Sequence, residues 1–194
     1  MSSRLDKIII VDIESTCWPK NPPPGESSEI IEIGVCVLNM ADRNEPPTRS
    51  DKRSILIQPD YSYVSDFCTE LTTLTQPLLD REGIVFAEAC EILKRDYDSK
   101  ACTWASYGDY DRKQFEIDCN RKHVLYPFGP RHINIKNLFA HMWRLPKEVG
   151  MPGALKILGR KLEGTHHRGH DDAWNIAGIF SEILSLKNMP YKLT

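Results

Sequence analysis

The chain has 194 residues, of which 41% are hydrophobic and 27% are charged, and its formal net charge is -2 with a pI near 6.3. This length and composition are typical of one globular domain, and no apolar run is long enough to cross a bilayer. The balanced charge argues against a protein that coats nucleic acid non-specifically, but it permits an enzyme that binds nucleic acid at one place. We therefore expect a single domain over residues 1–194, with a core at about 6–187.

The cysteines and the N-terminus predict where the protein resides. The sequence contains six cysteines, namely Cys17, Cys36, Cys68, Cys90, Cys102 and Cys119. None forms a C-x-x-C pair, so reduced, mostly buried thiols are a better interpretation than a zinc site. The polar segment before the first strand is too short for a signal peptide. Together these features predict a cytoplasmic location.

The first third of the chain predicts three strands joined by loops. Residues 7–14 contain a run of β-branched residues, residues 29–39 alternate apolar side chains, and residues 53–58 form a shorter strand. The proline-rich segment after the first strand and the polar residues 43–51 are predicted loops. Three strands without intervening helices predict an antiparallel meander.

Helices and strands alternate in the remainder of the chain. Further strands are predicted at 101–107 and 132–135. Helices are predicted at 65–74, from 75 onward, and at 85–97, 109–123, 137–145, 151–158 and 171–186. This order predicts an α/β fold with a mixed sheet and helices packed on its faces.

Two carboxylates, Asp12 and Glu14, stand at the end of the first predicted strand. Their spacing of two places both side chains on one face of an extended chain. Like charges this close need compensation if they are buried, and Mg²⁺ binds oxygen ligands of this kind. The pattern favours a metal site, while the alternative is a strand that runs into an ordinary polar loop.

Two further polar clusters lie where predicted helices begin, at residues 106–111 and 166–172. In α/β folds, strand ends that lead into helices carry functional sites. With Asp111 from the first cluster and His167 and Asp172 from the second, the chain has enough carboxylates for two metal ions that clamp a phosphodiester. A neutral histidine beside them could accept a proton from the attacking water.

The order Asp-x-Glu, Asp, His-x4-Asp resembles the DEDDh (DnaQ-like) 3′-to-5′ exonucleases of the ribonuclease H-like superfamily. The local sequences at 12–18, 29–34, 66–72 and 108–111 are similar to the branch typified by the 3′ histone-mRNA exonuclease. The resemblance extends from about residue 8 to 184. It implies a ribonuclease H-like α/β fold, in which a central five-stranded mixed sheet, an antiparallel meander followed by parallel strands, is flanked by helices.

The resemblance also implies an activity. It predicts an enzyme that removes nucleoside 5′-monophosphates from the free 3′ end of a single-stranded nucleic acid, with RNA favoured over DNA, and that uses two Mg²⁺ or Mn²⁺ ions. One alternative is a non-catalytic nucleic-acid-binding adaptor on the same fold, and another is an endonuclease of the same superfamily.

Metal-binding and catalytic roles follow from the resemblance residue by residue. Asp12, Glu14 and Asp172 would hold the first metal, and Asp12 would bridge to the second. Asp111 would act on the metals mainly through water. His167 would be the general base.

The implied substrate-binding set is Glu14, Phe67, Leu71, Thr72, Tyr110 and His167. Glu14 would meet the terminal 3′-hydroxyl. Phe67 and Tyr110 would stack on or flank the terminal bases, a contact that tolerates any base, and the alternative for both is ordinary aromatic core.

Several neighbouring residues compete for these roles. Asp109 suits a helix cap better than Asp111 does, whereas Asp111 aligns with the family motif. His166 and His170 compete with His167, which has the spacing of the motif. His170 also stands where relatives usually have an apolar residue. Asp171 is most simply a first-turn acid favoured by the helix dipole.

Overall fold

The computed structural model describes residues 4–40 and 45–185. Within these ranges it contains a single five-stranded sheet. The strands are β1 (Arg4–Ser15), β2 (Ile30–Asn39), β3 (Thr48–Leu56), β4 (Cys102–Ser106) and β5 (His132–Asn134). Their order across the sheet is β3-β2-β1-β4-β5, where β1, β2 and β3 are antiparallel and β4 and β5 run parallel to β1. The predicted mixed five-stranded sheet is confirmed.

Seven helices flank this sheet in the described part of the chain. They are α1 (Asp66–Thr72), α2 (Gln76–Glu82), α3 (Phe86–Tyr97), α4 (Tyr110–Lys122), α5 (Ile135–Met142), α6 (Met151–Ile157) and α7 (Gly169–Ser185). None of these helices is both long and apolar enough to cross a membrane. None of the six cysteines, all of which lie in the described ranges, forms a disulfide.

Strand β1 is the centre of the molecule because both of its faces are buried. Ile9 and Val11 pack in the cluster that contains the apolar faces of α3 and α4. Ile8 and Ile10 pack in the opposite cluster, with α5, α6 and α7. Burying such a side chain contributes about 1.5–3 kcal/mol, so the run before Asp12 fixes β1 firmly in the middle of the sheet.

The edge strand β3 differs from its prediction. It begins at Thr48, five residues before the predicted start at 53, so part of the predicted loop at 43–51 is strand; residues 43 and 44 lie outside the described residues. Polar side chains such as Arg49 and Lys52 remain partly solvated there, which is common on an edge strand and weakens the apolar pattern.

Two helices begin earlier than predicted. Helix α5 starts at Ile135 rather than 137, because the side chain of Asn134 caps it by accepting the Asn137 N–H at 3.0 Å. Helix α7 starts at Gly169 rather than 171, and residue 186 of its predicted range is outside the described residues. The earlier start places Asp171 and Asp172 in the first turn of α7.

Candidate active site

Asp12 and Glu14 lie at the end of β1, where the buried strand reaches a cleft. Glu14 is buried and Asp12 is half-buried. In the antiparallel pairing with β2, Asp12 is opposite Gly34 and Glu14 is opposite Glu32. The apolar run of β1 therefore carries two largely buried carboxylates to the wall of the cleft.

Asp111 is brought to the same place by the first turn of α4. Its Oδ1 accepts the backbone N–H of Ile13 at 3.0 Å, and its side chain is buried. Asp109 occupies the N-cap position but makes no capping hydrogen bond with its side chain. Its carboxylate lies 3.6 Å from Arg112 on the surface. Of the two candidates, Asp111 is therefore the one that faces β1.

The N-terminus of α7 supplies Asp172 and two histidines. Asp172 Oδ2 accepts the backbone N–H of His167 at 3.0 Å and lies 2.9 Å from His166 Nδ1. The Nδ1 atom of His167 is 4.0 Å from Glu14 Oε1. The two imidazole rings stack with their centroids 3.9 Å apart. Thus both histidines face the carboxylates, His166 towards Asp172 and His167 towards Glu14.

A close contact between two glycines sets the distance between α7 and the sheet. A Cβ atom on Gly34 would lie 1.8 Å from the carbonyl carbon of Gly169. A Cβ atom on Gly169 would lie 2.9 Å from the backbone nitrogen of Gly34 and 3.0 Å from the backbone carbonyl oxygen of Asp12. Only the absence of both side chains lets the start of α7 rest on β2 and β1 beside the acids.

These residues line a cleft of about 390 Å³. Its walls include all four predicted acids, both histidines of the stacked pair, and Tyr107, Tyr110, Lys136 and Met151. Tyr110 is exposed, as expected for a side chain that could contact a base. Lys136, which the sequence reasoning overlooked, contributes a positive charge to an otherwise acidic cleft.

The acids of the cleft have raised pKa values. Burial, followed by repulsion from Asp111 and Glu14, raises the pKa of Asp12 well above its usual range. Burial and the nearby Asp172 and Glu32 carboxylates raise the pKa of Glu14 to about 8. Burial also raises the pKa of Asp111 to about 6, although the Ile13 N–H opposes the change. The charged forms of these groups lack compensation from the surrounding protein.

A divalent cation fits this donor set. Asp12, Glu14 and Asp172 each offer an oxygen, and the three atoms lie within 4.8 Å of one another. Asp172 Oδ1 is buried and has no hydrogen-bond partner in the described part of the chain. Several convergent carboxylate oxygens are the ligands of a hard cation. Asp111 lies outside this three-residue group.

The predicted substrate contacts on α1 are not among the residues that line the cleft. Phe67 and Leu71 are exposed, one turn apart on α1. Thr72 is fully buried, and its hydroxyl donates to the Cys68 carbonyl at 2.8 Å and accepts the Leu74 N–H at 3.1 Å. Thr72 is therefore not at the surface of the cleft. Its hydroxyl instead bonds to the backbone at the C-terminal end of α1.

Helix α1 nevertheless lies beside the end of β1. The Ser65 hydroxyl caps the helix by accepting the Cys68 N–H at 3.0 Å and donates to the Cys17 carbonyl at 2.6 Å. Cys68 Sγ donates to the Ser15 carbonyl at 3.6 Å. Phe67 and Leu71 are thus held on a helix that is attached to the segment following Glu14.

Sequence reasoning missed Glu32, a fully buried acid on β2 next to this site. Its signal is a charged residue between Ile31 and Ile33, where a buried strand should have an apolar side chain.

No family model matches the chain, but similar proteins and structures exist. The human 3′-5′ exoribonuclease 1 is 31% identical in an alignment that covers 94% of this chain and 53% of that protein. The mouse ERI1 exoribonuclease 2 is 29% identical over 88% of this chain and 27% of its own length. The chain thus spans about half or less of the length of these curated relatives.

The structural similarity is more extensive. The nuclease domain of 3′hExo, a DEDDh family member solved with bound rAMP, superposes with a TM-score of 0.79 at 28% identity. The match covers 95% of this chain and 94% of that domain. The chain is therefore similar in structure to a DEDDh exonuclease domain and has the ribonuclease H-like fold. In sequence it is similar to the 3′-5′ exoribonuclease 1 and ERI1 exoribonuclease 2 proteins.

Proposed function

We propose that this protein is a divalent-metal-dependent 3′-to-5′ exonuclease that acts on single-stranded RNA and releases nucleoside 5′-monophosphates. The observation that supports this most directly is the meeting of Asp12, Glu14 and Asp172, with Asp111 beside them, at one buried point that opens to a cleft. The names of the relatives and the rAMP bound to the 3′hExo domain favour RNA as the substrate.

Asp12, Glu14 and Asp172 would hold the cations, with Asp12 shared between two ions and Asp111 reaching them mainly through water. When bound, the ions supply positive charge that stabilises the attacking and leaving oxygens of a phosphodiester. Asp111 is already anchored by the Ile13 N–H, so the protein fixes the orientation of this carboxylate before substrate arrives.

His167 is proposed as the general base. Its ring faces the cleft and is partly exposed to solvent. Burial and the neighbouring His166 lower the pKa of His167, so the ring is neutral near pH 7 and can accept a proton from the attacking water. His166 is less available because its Nδ1 lies within hydrogen-bonding distance of Asp172.

The substrate contacts proposed from the resemblance are Glu14, Phe67, Leu71, Tyr110 and His167, and Thr72 is left out of the implied set because its side chain is fully buried. Tyr110 lines the cleft and is exposed, so its ring is available to a terminal base. Phe67 and Leu71 could flank the base from α1, which is fastened to the chain after Glu14. We also propose that residues 1–194 act as one domain and that the protein is cytoplasmic.

Short RNA and DNA strands with free or blocked 3′ ends, and a circular RNA, test the proposal. We expect stepwise shortening of single-stranded RNA from a free 3′ end in Mg²⁺ or Mn²⁺ and no reaction in EDTA. Cleavage of the circle would indicate an endonuclease instead. Binding of RNA without turnover in either metal would favour the adaptor.

A further inference from the structure

Glu32 lies next to the candidate active site but is not one of its acids. It stands on β2 directly opposite Glu14 of β1, so the two side chains lie on the same face of the sheet. Its side chain is fully buried. A buried carboxylate at this position needs hydrogen-bonding partners, because burying a charge without them is costly.

The partners of Glu32 come mainly from three consecutive residues that follow His167. Its Oε2 accepts the Arg168 Nε–H at 3.1 Å and the backbone N–H of Gly169 at 3.0 Å. Its Oε1 lies 2.9 Å from His170 Nδ1. The Ser54 hydroxyl of β3 donates to Oε1 at 2.6 Å. One carboxylate on the sheet therefore holds the segment between His167 and Asp172.

The backbone of this segment needs such support. His167 adopts a left-handed conformation with φ of 63°, which costs energy for a residue with a side chain and persists only where neighbouring contacts enforce it. On its C-terminal side these contacts are the Asp172 carboxylate, which accepts the His167 N–H, the bonds to Glu32, and the close approach of Gly169 to Gly34.

We propose that Glu32 is a positioning residue that fixes the His167 imidazole over the acids of β1. This inference rests on the proposed function, since it assigns Glu32 a role in the same reaction through His167. Glu32 itself does not line the cleft. Its effect is therefore on the orientation of the base and not on contact with substrate.

Glu29 provides a matched control. It is also fully buried, and it accepts bonds from Asp60 N–H at 3.0 Å, Tyr61 N–H at 2.6 Å and Lys122 Nζ at 2.8 Å. Neither Glu29 nor these partners line the cleft. Glu29→Gln and Glu32→Gln thus make the same chemical change in two similar polar clusters, only one of which holds the His167 segment.

The test measures turnover of a 3′-labelled single-stranded RNA in Mg²⁺ by the wild type, both Gln variants, His167→Ala and the double variant Glu32→Gln/His167→Ala. Both Glu32 oxygens accept hydrogen bonds, so in Glu32→Gln the amide NH₂ must face a donor and the bonds to that donor are lost. We expect kcat to fall about 10- to 100-fold, with KM within about twofold of wild type. Glu29→Gln should keep its kcat. In the His167→Ala background, Glu32→Gln should cause no further loss.

Equal losses of kcat in both Gln variants, or a full loss from Glu32→Gln when His167 is already absent, would overturn the inference. Should Glu32→Gln fail to fold, Arg168→Met removes both guanidinium donors of the same cluster and should likewise lower kcat. Unchanged kcat in that variant would likewise count against it.

The ring resonances of His167 in NMR spectra separate this inference from the proposed function. They should shift in Glu32→Gln and stay in place in Glu29→Gln, whether or not RNA is cleaved. A wild type without nuclease activity would refute the proposed function alone. Unshifted His167 resonances in Glu32→Gln would refute the positioning role alone.

Discussion

Glu14 and Glu32 face each other across two neighbouring strands, and both are buried, yet their pKa values move in opposite directions. Burial and the neighbouring carboxylates raise the pKa of Glu14 to about 8. Burial acts on Glu32 as well, but hydrogen bonds from His170, Arg168 and Ser54 outweigh it and lower the pKa to about 2. The two pKa values move in opposite directions because Glu32 has more hydrogen-bond donors and positive charge around it, and not because the two side chains differ in burial.

This comparison divides the acids by role. Glu32 is compensated by the protein itself and acts as a fixed part of the scaffold. Asp12, Glu14 and Asp172 are left without sufficient compensation at the cleft, which is the condition for binding a cation from solution. Variants that remove one acid or move α7 should therefore affect metal binding and activity differently from variants outside the site.

The largest effect is expected for Asp12→Asn, which removes an acid that interacts with all the other acids of the site. If the bound metals contribute several kcal/mol to transition-state stabilisation, kcat should fall on the order of 10³-fold or more. Initial rates on labelled RNA measure this loss. Thermal unfolding should show a folded protein, so wild-type turnover in a folded Asp12→Asn variant would refute the metal-binding role.

Gly34→Ala should move the start of α7, which carries His167 and Asp172, away from the acids on β1. The new Cβ would meet the backbone of Gly169, and relief requires α7 to move away from the sheet. We expect a loss of about 3 kcal/mol in the free energy of unfolding, accompanied by loss of activity, as measured by urea denaturation and by RNA turnover.

Gly150→Ala is the control for this change. The nearest atom to its new Cβ would be a carbon of Pro152 at 3.8 Å, an ordinary contact. Its unfolding free energy should change by less than about 1 kcal/mol. A Gly34→Ala protein as stable as this control would show that the close approach of α7 is not required.

Asp111→Asn and Asp109→Asn compare two acids that lie two residues apart at the start of α4. Asp111 is buried against Ile13 in the cleft, whereas Asp109 is exposed. We expect kcat to fall about 100-fold for Asp111→Asn, since a correctly placed charge is worth a few kcal/mol, and to stay within about threefold for Asp109→Asn. The reverse order of kcat values would reassign the site to Asp109.

A smaller effect is expected in the stability of the metal-free protein. The pKa of Glu14 is about 8 when folded and has an ordinary value of 4.5, so the folded state binds this proton more tightly than the unfolded state. Stability should therefore fall as pH rises between these values, and the loss is complete above the folded pKa. Between pH 7 and 8.5 the expected loss is roughly 1 kcal/mol.

The neighbouring groups of the site do not obscure the contribution of Glu14 in this pH window. The raised pKa of Asp12 acts in the same direction, while the lowered pKa values of His167 and Glu32 place their titration below pH 7. Urea denaturation in EDTA at several pH values measures the slope. Saturating Mg²⁺ or Mn²⁺ should flatten it, and a metal-free slope of the opposite sign would show that the acids are compensated.

The central strand and the acids on it could be predicted from sequence, because a run of β-branched residues followed by Asp12 and Glu14 is a local pattern. Asp111 and His167 could be selected through their spacing in a family motif. The partners of Glu32 could not, because Ser54 and Arg168 are distant from it in the chain and only the packing of α7 on β2 brings them together. The predicted start of β3 was wrong because an edge strand carries charged side chains, and their sequence pattern resembles that of a loop.

Direct titration with Mn²⁺ at pH 7.5, followed by electron paramagnetic resonance or calorimetry, tests the central claim that the uncompensated acids bind cations. Wild type and Glu29→Gln should bind Mn²⁺ with the same affinity, and Asp12→Asn should bind it at least about tenfold more weakly. Absence of binding to the wild type, or equal affinity in Asp12→Asn, would contradict the account.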